Sequence, residues 1–132
     1  MRLIKLRRNE DGAAAVEMAL ALPILLVLIY GIFQIGIVMS ASAGMQHALG
    51  EGARYATIYP TPADSAIVTR MQSKVFGMNI GTFSTPTVTT PATSVCTNCR
   101  LLTVTYTVTP NFLFFNAPPV TLTRTKQVYL SF

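Results

Sequence analysis

Catalysis needs reactive side chains at workable spacings, and this sequence offers few. His47 is the single histidine, no acid or nucleophile clusters beside it, and five acidic residues are spread over 132 positions. No nucleophile–base–acid set and no glycine-rich phosphate loop is visible, so an enzyme is not expected. Two small groups still invite a chemical reading. The first is Gly12 followed five positions later by Glu17, at the head of a long apolar run. An acid inside a membrane is costly unless it is paired, so it requires a named partner. A cut between Gly12 and Ala13 would create an ammonium at Ala13, one helical turn from Glu17 at i, i+4. Pairing within one chain, or between neighbours in a helix bundle, would favour both charged forms. The plainer alternative is a carboxylate complementing the positive end of a helix. The second group is Cys96-Thr97-Asn98-Cys99. Zinc takes about four ligands, which one histidine cannot complete. A thioredoxin-type redox pair would open a helix in a βαβ pattern, whereas here a strand pattern follows. A structural disulfide between Cys96 and Cys99 is expected, with no metal site and no cofactor.

The element that must position Glu17 is the apolar run. From Ala13 to Met39 it is the only charged residue. Met18 to Met39 is 22 residues, roughly 33 Å as a helix, enough to cross a hydrocarbon core of about 30 Å. Four of the ten basic residues (Arg2, Lys5, Arg7, Arg8) precede it, so this end should stay cytoplasmic and everything after about residue 40 should lie outside. Disulfides persist on that side. The net charge of +5 is otherwise dispersed, without the basic stripe that nucleic-acid binding needs. Only 11% of residues are charged against about 25% in ordinary domains, so the apolar excess belongs in lipid or against a partner. Pro23 removes one backbone donor and loosens the helix near Ala19, as a packed kink or as a hinge. Ala41-Ser42-Ala43 has the form of a signal-peptidase site, but the apolar run is longer than the 7–15 residues usual in a signal peptide.

With these residues in view, the leader, Gly12, Glu17 and the apolar helix resemble the processing site of type IV pilins and pseudopilins. The runs Gly12–Leu20 and Ala48–Ala56 together are similar to the TadE-like pseudopilins of tight-adherence (Tad, or Flp) pilus systems, over about residues 7–56. The resemblance implies a prepilin peptidase cutting between Gly12 and Ala13 and a role for Glu17 in assembly and recognition. It implies a minor pilin acting in pilus assembly or adhesion, and no enzyme. The implied partners are the peptidase, major and other minor pilins, an inner-membrane assembly platform and membrane lipid, with no nucleic acid. Met18 follows Glu17 where major pilins carry tyrosine, and the chain has no room for the von Willebrand-type domain of TadG-like relatives. An uncut membrane-anchored accessory protein and a secreted β-rich binding module remain as alternatives.

Residues 1–12 thus read as a leader, 13–39 as the transmembrane helix, 40–59 as its continuation and 60–132 as a small α+β domain. The continuation is rich in Ala and Gly, suited to close approach by the chain's own domain or by another subunit. Glu51 can pair there with Arg54 or Tyr55. The Tyr59-Pro60-Thr61-Pro62 turn should end the helix. Asp64 or Ser65 should cap a short helix with Ile67, Met71 and Val75 on one face and Gly77 at its end. Leu102, Val104, Tyr106 and Val108 alternate with threonines, a strand pattern. Val120, Leu122, Val128, Leu130 and Phe132 share a parity that Arg124 and Lys126 interrupt. Thr82–Thr90 is a weaker strand that Pro86 confines to an edge. The aromatic loop Asn111–Asn116 is expected to fill the small core, or else to form a contact surface. The expected fold is α+β and pilin-like: the long helix packed against an antiparallel sheet of three or four strands.

Overall fold

A computed structural model describes residues 10–77, 80–91, 96, 98–112 and 115–130. Arg2, Lys5, Arg7 and Arg8 of the basic leader lie outside the described residues, as do Thr97, Leu113, Phe114 and Phe132. The fold is α+β, a long apolar helix with a small antiparallel sheet.

Helix α1 runs from Glu10 to Ala56 and continues through Pro23. At 1.5 Å per residue its 47 residues span about 70 Å. Its two halves meet different surroundings. Every residue from Gly12 to Leu26 is exposed, on all faces. From Gln34 onward one stripe is buried: Gln34, Ile37, Ala41, Met45, Ala48 and Leu49, then Gly52, Ala53 and Ala56. Steps of three and four keep these residues on one face. The small members of the stripe let backbone approach backbone. A Cβ on Gly44 would run into the main chain of Phe76, and one on Gly52 would meet the Met71 side chain. The small-residue face is therefore covered by the chain's own domain, whereas Gly50 has open space and Ala43 is exposed.

Helix α2, Asp64–Gln72, buries Ile67 and Met71 against this stripe. The expected side-chain cap is not made: Ala63 occupies the cap position, and Asp64 falls in the first turn instead. The helix also ends before Gly77, because the Ser73 and Lys74 amides close a turn onto Thr69 and Met71. Gly77 serves a different purpose. Its Cα faces α1, where a Cβ would lie 3.3 Å from the Cα of Ala41 and 3.2 Å from the Phe83 ring.

The strands in chain order are β1 (Thr82–Phe83), β2 (Thr87–Thr89), β3 (Cys99–Val108), β4 (Asn111–Phe112), β5 (Phe115–Asn116) and β6 (Val120–Tyr129). β3 is central, with β6 antiparallel along its full length on one side and β1 and β2 sharing the other. The edge divides around Pro86, which has no N–H to give to a ladder. Leu102, Val104, Tyr106 and Val108 point into the core beneath α1. On the opposite face Thr103, Thr105 and Thr107 stand directly across from Thr125, Thr123 and Thr121. Val128 is buried and Leu122 half-buried, while Arg124 on the same side reaches the rim, donating to Ser42 Oγ at 3.3 Å.

The described residues of the aromatic loop, Asn111, Phe112, Phe115 and Asn116, do not enter the core. β3 ends at Val108, Pro110 cannot extend its ladder, and β4 and β5 pair as a separate hairpin beyond the sheet. Phe112 lies half-buried beside Gly31 of α1, and Phe115 is 59% exposed.

The glycines along α1 make a direct test of the docking geometry. Gly44→Ala should lower the thermal stability of the detergent-solubilised protein, at about the 1–3 kcal/mol typical of overpacking. Gly50→Ala meets open space and should raise it by about 0.5–1 kcal/mol, the helix preference of alanine over glycine. Circular-dichroism melts of the two variants read both signs.

Candidate processing and assembly site

The Gly12–Ala13 peptide bond lies in α1, two residues past Glu10, the first residue of the helix that the structure describes. Glycine weakens a helix by about 1 kcal/mol relative to alanine, which lowers the cost of local opening at this bond. Gly12 is exposed, and a Cβ placed on it meets nothing within 4 Å. Ala13 and Glu17 are four apart on the helix and both exposed, which puts them on one face. Among the described residues Glu17 has no hydrogen-bonding or ion-pair partner. The site therefore presents an exposed carboxylate beside apolar side chains, one helical turn from an exposed glycine–alanine bond.

Polar side-chain contacts tie α1, α2 and the sheet together far from this end. Glu51 accepts from Arg54 at 3.2 Å and from Arg70 of α2 at 2.9 Å. These two guanidinium groups hold the Glu51 carboxyl below the usual carboxylate range. Asp64 accepts from Arg100 of β3 at 3.0 Å, joining α2 to the sheet. Gln34, only 6% exposed, donates through Nε2 to the Asn111 carbonyl at 3.1 Å and clamps the aromatic hairpin to the helix. The sequence pointed to Arg54 for Glu51 but not to Arg70, which comes from a separate helix. Gln34 was also missed, although it is the one amide side chain in the apolar run.

Cys96 and Cys99 are disulfide-bonded, with Cα atoms 5.8 Å apart, where the chain enters β3. The His47 ring lies 5.5 Å from that of Phe76, a packing contact. Among the described residues no three His, Cys, Asp or Glu side chains are grouped to hold a metal ion.

A single long helix, bare and apolar at one end and carrying a small α+β domain at the other, defines a helix-displayed protein. By length and composition this helix is able to cross a membrane. Residues 12–54 match the family model described as TadE-like protein, so this segment is similar to that family. The match opens on Gly12, contains Glu17 and closes on Arg54, leaving the sheet outside it. No curated protein and no solved structure matches the chain.

Glu51 gives the domain–helix contact a defined pH dependence. Its carboxyl is easier to ionise folded than unfolded, so its contribution is present above the unfolded value. That contribution is lost as pH falls through the folded one. Stability should drop on the acid side of the carboxylate range, and Glu51→Gln should flatten that part of the profile. Thermal melts across acid pH check this; an unchanged slope in Glu51→Gln would remove the ion pair from the account.

Proposed function

We propose that the protein is a non-catalytic minor pilin of a Tad-type pilus, cut after Gly12 by a prepilin peptidase and transferred from the membrane into a pilus. The observation that carries this reading is the bare half of α1. It presents apolar side chains on every face, with one unpaired carboxylate a turn from Ala13. In lipid such a helix satisfies its backbone groups internally, except for the Ala19 carbonyl, which Pro23 leaves without its N–H partner. In a bundle its Glu17 would meet the ammonium freed at Ala13 of its own or an adjacent chain. The match to TadE-like protein over residues 12–54 supports the assignment to the pilus system. On this reading the basic leader is cytoplasmic and the sheet domain extracytoplasmic, with the peptidase, other pilins and the assembly platform as partners. Adhesion is a role the exposed domain would serve within the pilus.

Release as a secreted module by a cut after Ala43 is disfavoured by the packing. It would remove Ile37 and Ala41, both fully buried, together with the Gln34 clamp. Cavities and an unpaired carbonyl would remain in a small core.

Gly12→Ala should block processing and leave the full-length form in the membrane. Because the added methyl meets nothing, misfolding would not explain that result. Wild-type mobility of this variant on a gel would defeat the peptidase reading. Glu17→Ala should insert and be cut as wild type yet be lost from sheared pili, measured by immunoblot. Normal incorporation would remove Glu17 from the assembly step.

A further inference from the structure

Along the docked half of α1 the sheet runs back toward the bare half. Near the helix C-terminus the Leu102 side chain approaches Gly52 at 3.5 Å from a Cβ position. Farther back Arg124, paired in register with Val104, reaches Ser42. Last come the Gln34–Asn111 hydrogen bond and the Phe112 ring, 3.7 Å from a Cβ position on Gly31. The hairpin of β4 and β5 is thus the part of the domain nearest the bare helix. Ahead of it Ala13 to Tyr30 is 18 residues, or about 27 Å of helix, against a hydrocarbon core of about 30 Å. A bilayer filled by this segment has its surface at the level of the hairpin.

The residues at that level are the kind that a bilayer surface selects. Tyr30 and Phe33 lie on the helix with ring centroids 6.2 Å apart, and Phe112 and Phe115 stack at 5.2 Å on the hairpin. Phe33 and Phe115 are 46% and 59% exposed with no protein to cover them. Positions 101–123 contain no charged residue, so nothing in the loop opposes burial in the headgroup region. The hairpin and helix also flank an apolar cleft of about 380 Å³, lined by Gly31, Ile35, Val38 and Met39 with Pro110 and Phe112. Tyrosine is enriched at membrane–water interfaces, where its apolar ring and polar hydroxyl are both accommodated, and phenylalanine occurs on apolar faces that bury at the headgroup–acyl boundary.

We propose that Tyr30, Phe33, Phe112 and Phe115 form an interfacial belt in which the hairpin inserts into the outer-leaflet headgroup region and sets the depth of the anchor. The occupant of the surface is lipid, and Ala13–Tyr30 is the segment within hydrocarbon. This inference rests on the membrane-anchored reading of α1, and its test separates the two.

The chain has no tryptophan, so each introduced one reports alone. Full-length Phe115→Trp, Leu25→Trp and Tyr129→Trp are reconstituted at low protein density into phosphatidylcholine vesicles brominated at shallow or deep acyl positions. All three replaced side chains are exposed and outside the core, so the fold tolerates the exchange. Tyr129 sits at the end of β6 farthest from the hairpin. Phe115→Trp should be blue-shifted relative to Tyr129→Trp and quenched most by shallow bromines, with Leu25→Trp quenched most by deep ones. Quenching of Leu25→Trp without quenching of Phe115→Trp overturns the belt and leaves the anchor standing. A blue-shifted but unquenched Phe115→Trp likewise overturns it, in favour of contact with a second protein chain. An unquenched Leu25→Trp overturns both.

Discussion

The structure depends on one constraint: a single continuous helix must satisfy two environments, and the small-residue stripe decides where one gives way to the other. Between Ala41 and Ala56 nearly every buried position on α1 is Ala or Gly, with Met45 and Leu49 as the large exceptions. That composition brings α2 and the chain at Phe76 onto the helix backbone and fixes the height of the sheet. It follows that Pro110 and Asn111 come to rest near Gln34, and Phe112 beside Gly31. The described residues N-terminal to that level are left without contact from the domain. The bare segment is therefore set by packing at the opposite end of the helix as much as by its own hydropathy.

Apolar burial dominates the docking, and polar contacts direct it. Tyr106, Ile37, Met45, Ile67 and Met71 are fully buried, and burial pushes the Tyr106 hydroxyl above its ordinary pKa. The Glu51–Arg70 and Asp64–Arg100 pairs are partly exposed, where such contacts add little to stability. Their value is in orientation, since each joins two elements distant in sequence. Gln34 differs. It is buried in a mainly apolar face, so its bond to Asn111 both satisfies a costly amide and specifies where the hairpin sits.

Features governed by local periodicity were legible in the sequence. The Leu102–Val108 alternation marked β3 and its buried face, and Pro86 marked the interrupted edge. The uninterrupted apolar run marked the helix, and the resemblance carried by Gly12, Glu17 and the Ala48–Ala56 run is matched over residues 12–54. Features set by tertiary approach were not legible. Gly77 looked like a helix end, but it is small because Ala41 and Phe83 crowd it. Asp64 looked like a cap, but it meets an arginine 36 positions away. The aromatic loop looked like core because its composition is that of a core. Only the length of β3 relative to α1 reveals that the loop's described residues fall beyond the sheet. Sequence spacing carries no information about such distances.

These features describe a small domain held at one end of a long apolar helix. On the proposed function, the free half of that helix is buried first in lipid and then among other helices, with the cut between Gly12 and Ala13 separating the two. N-terminal sequencing of the protein recovered from pili-bearing cells tests this most directly. The account predicts Ala13 as the first residue. Met1 would show a permanent anchor, and Gly44 would show a secreted domain cut through its own core; either result would contradict it.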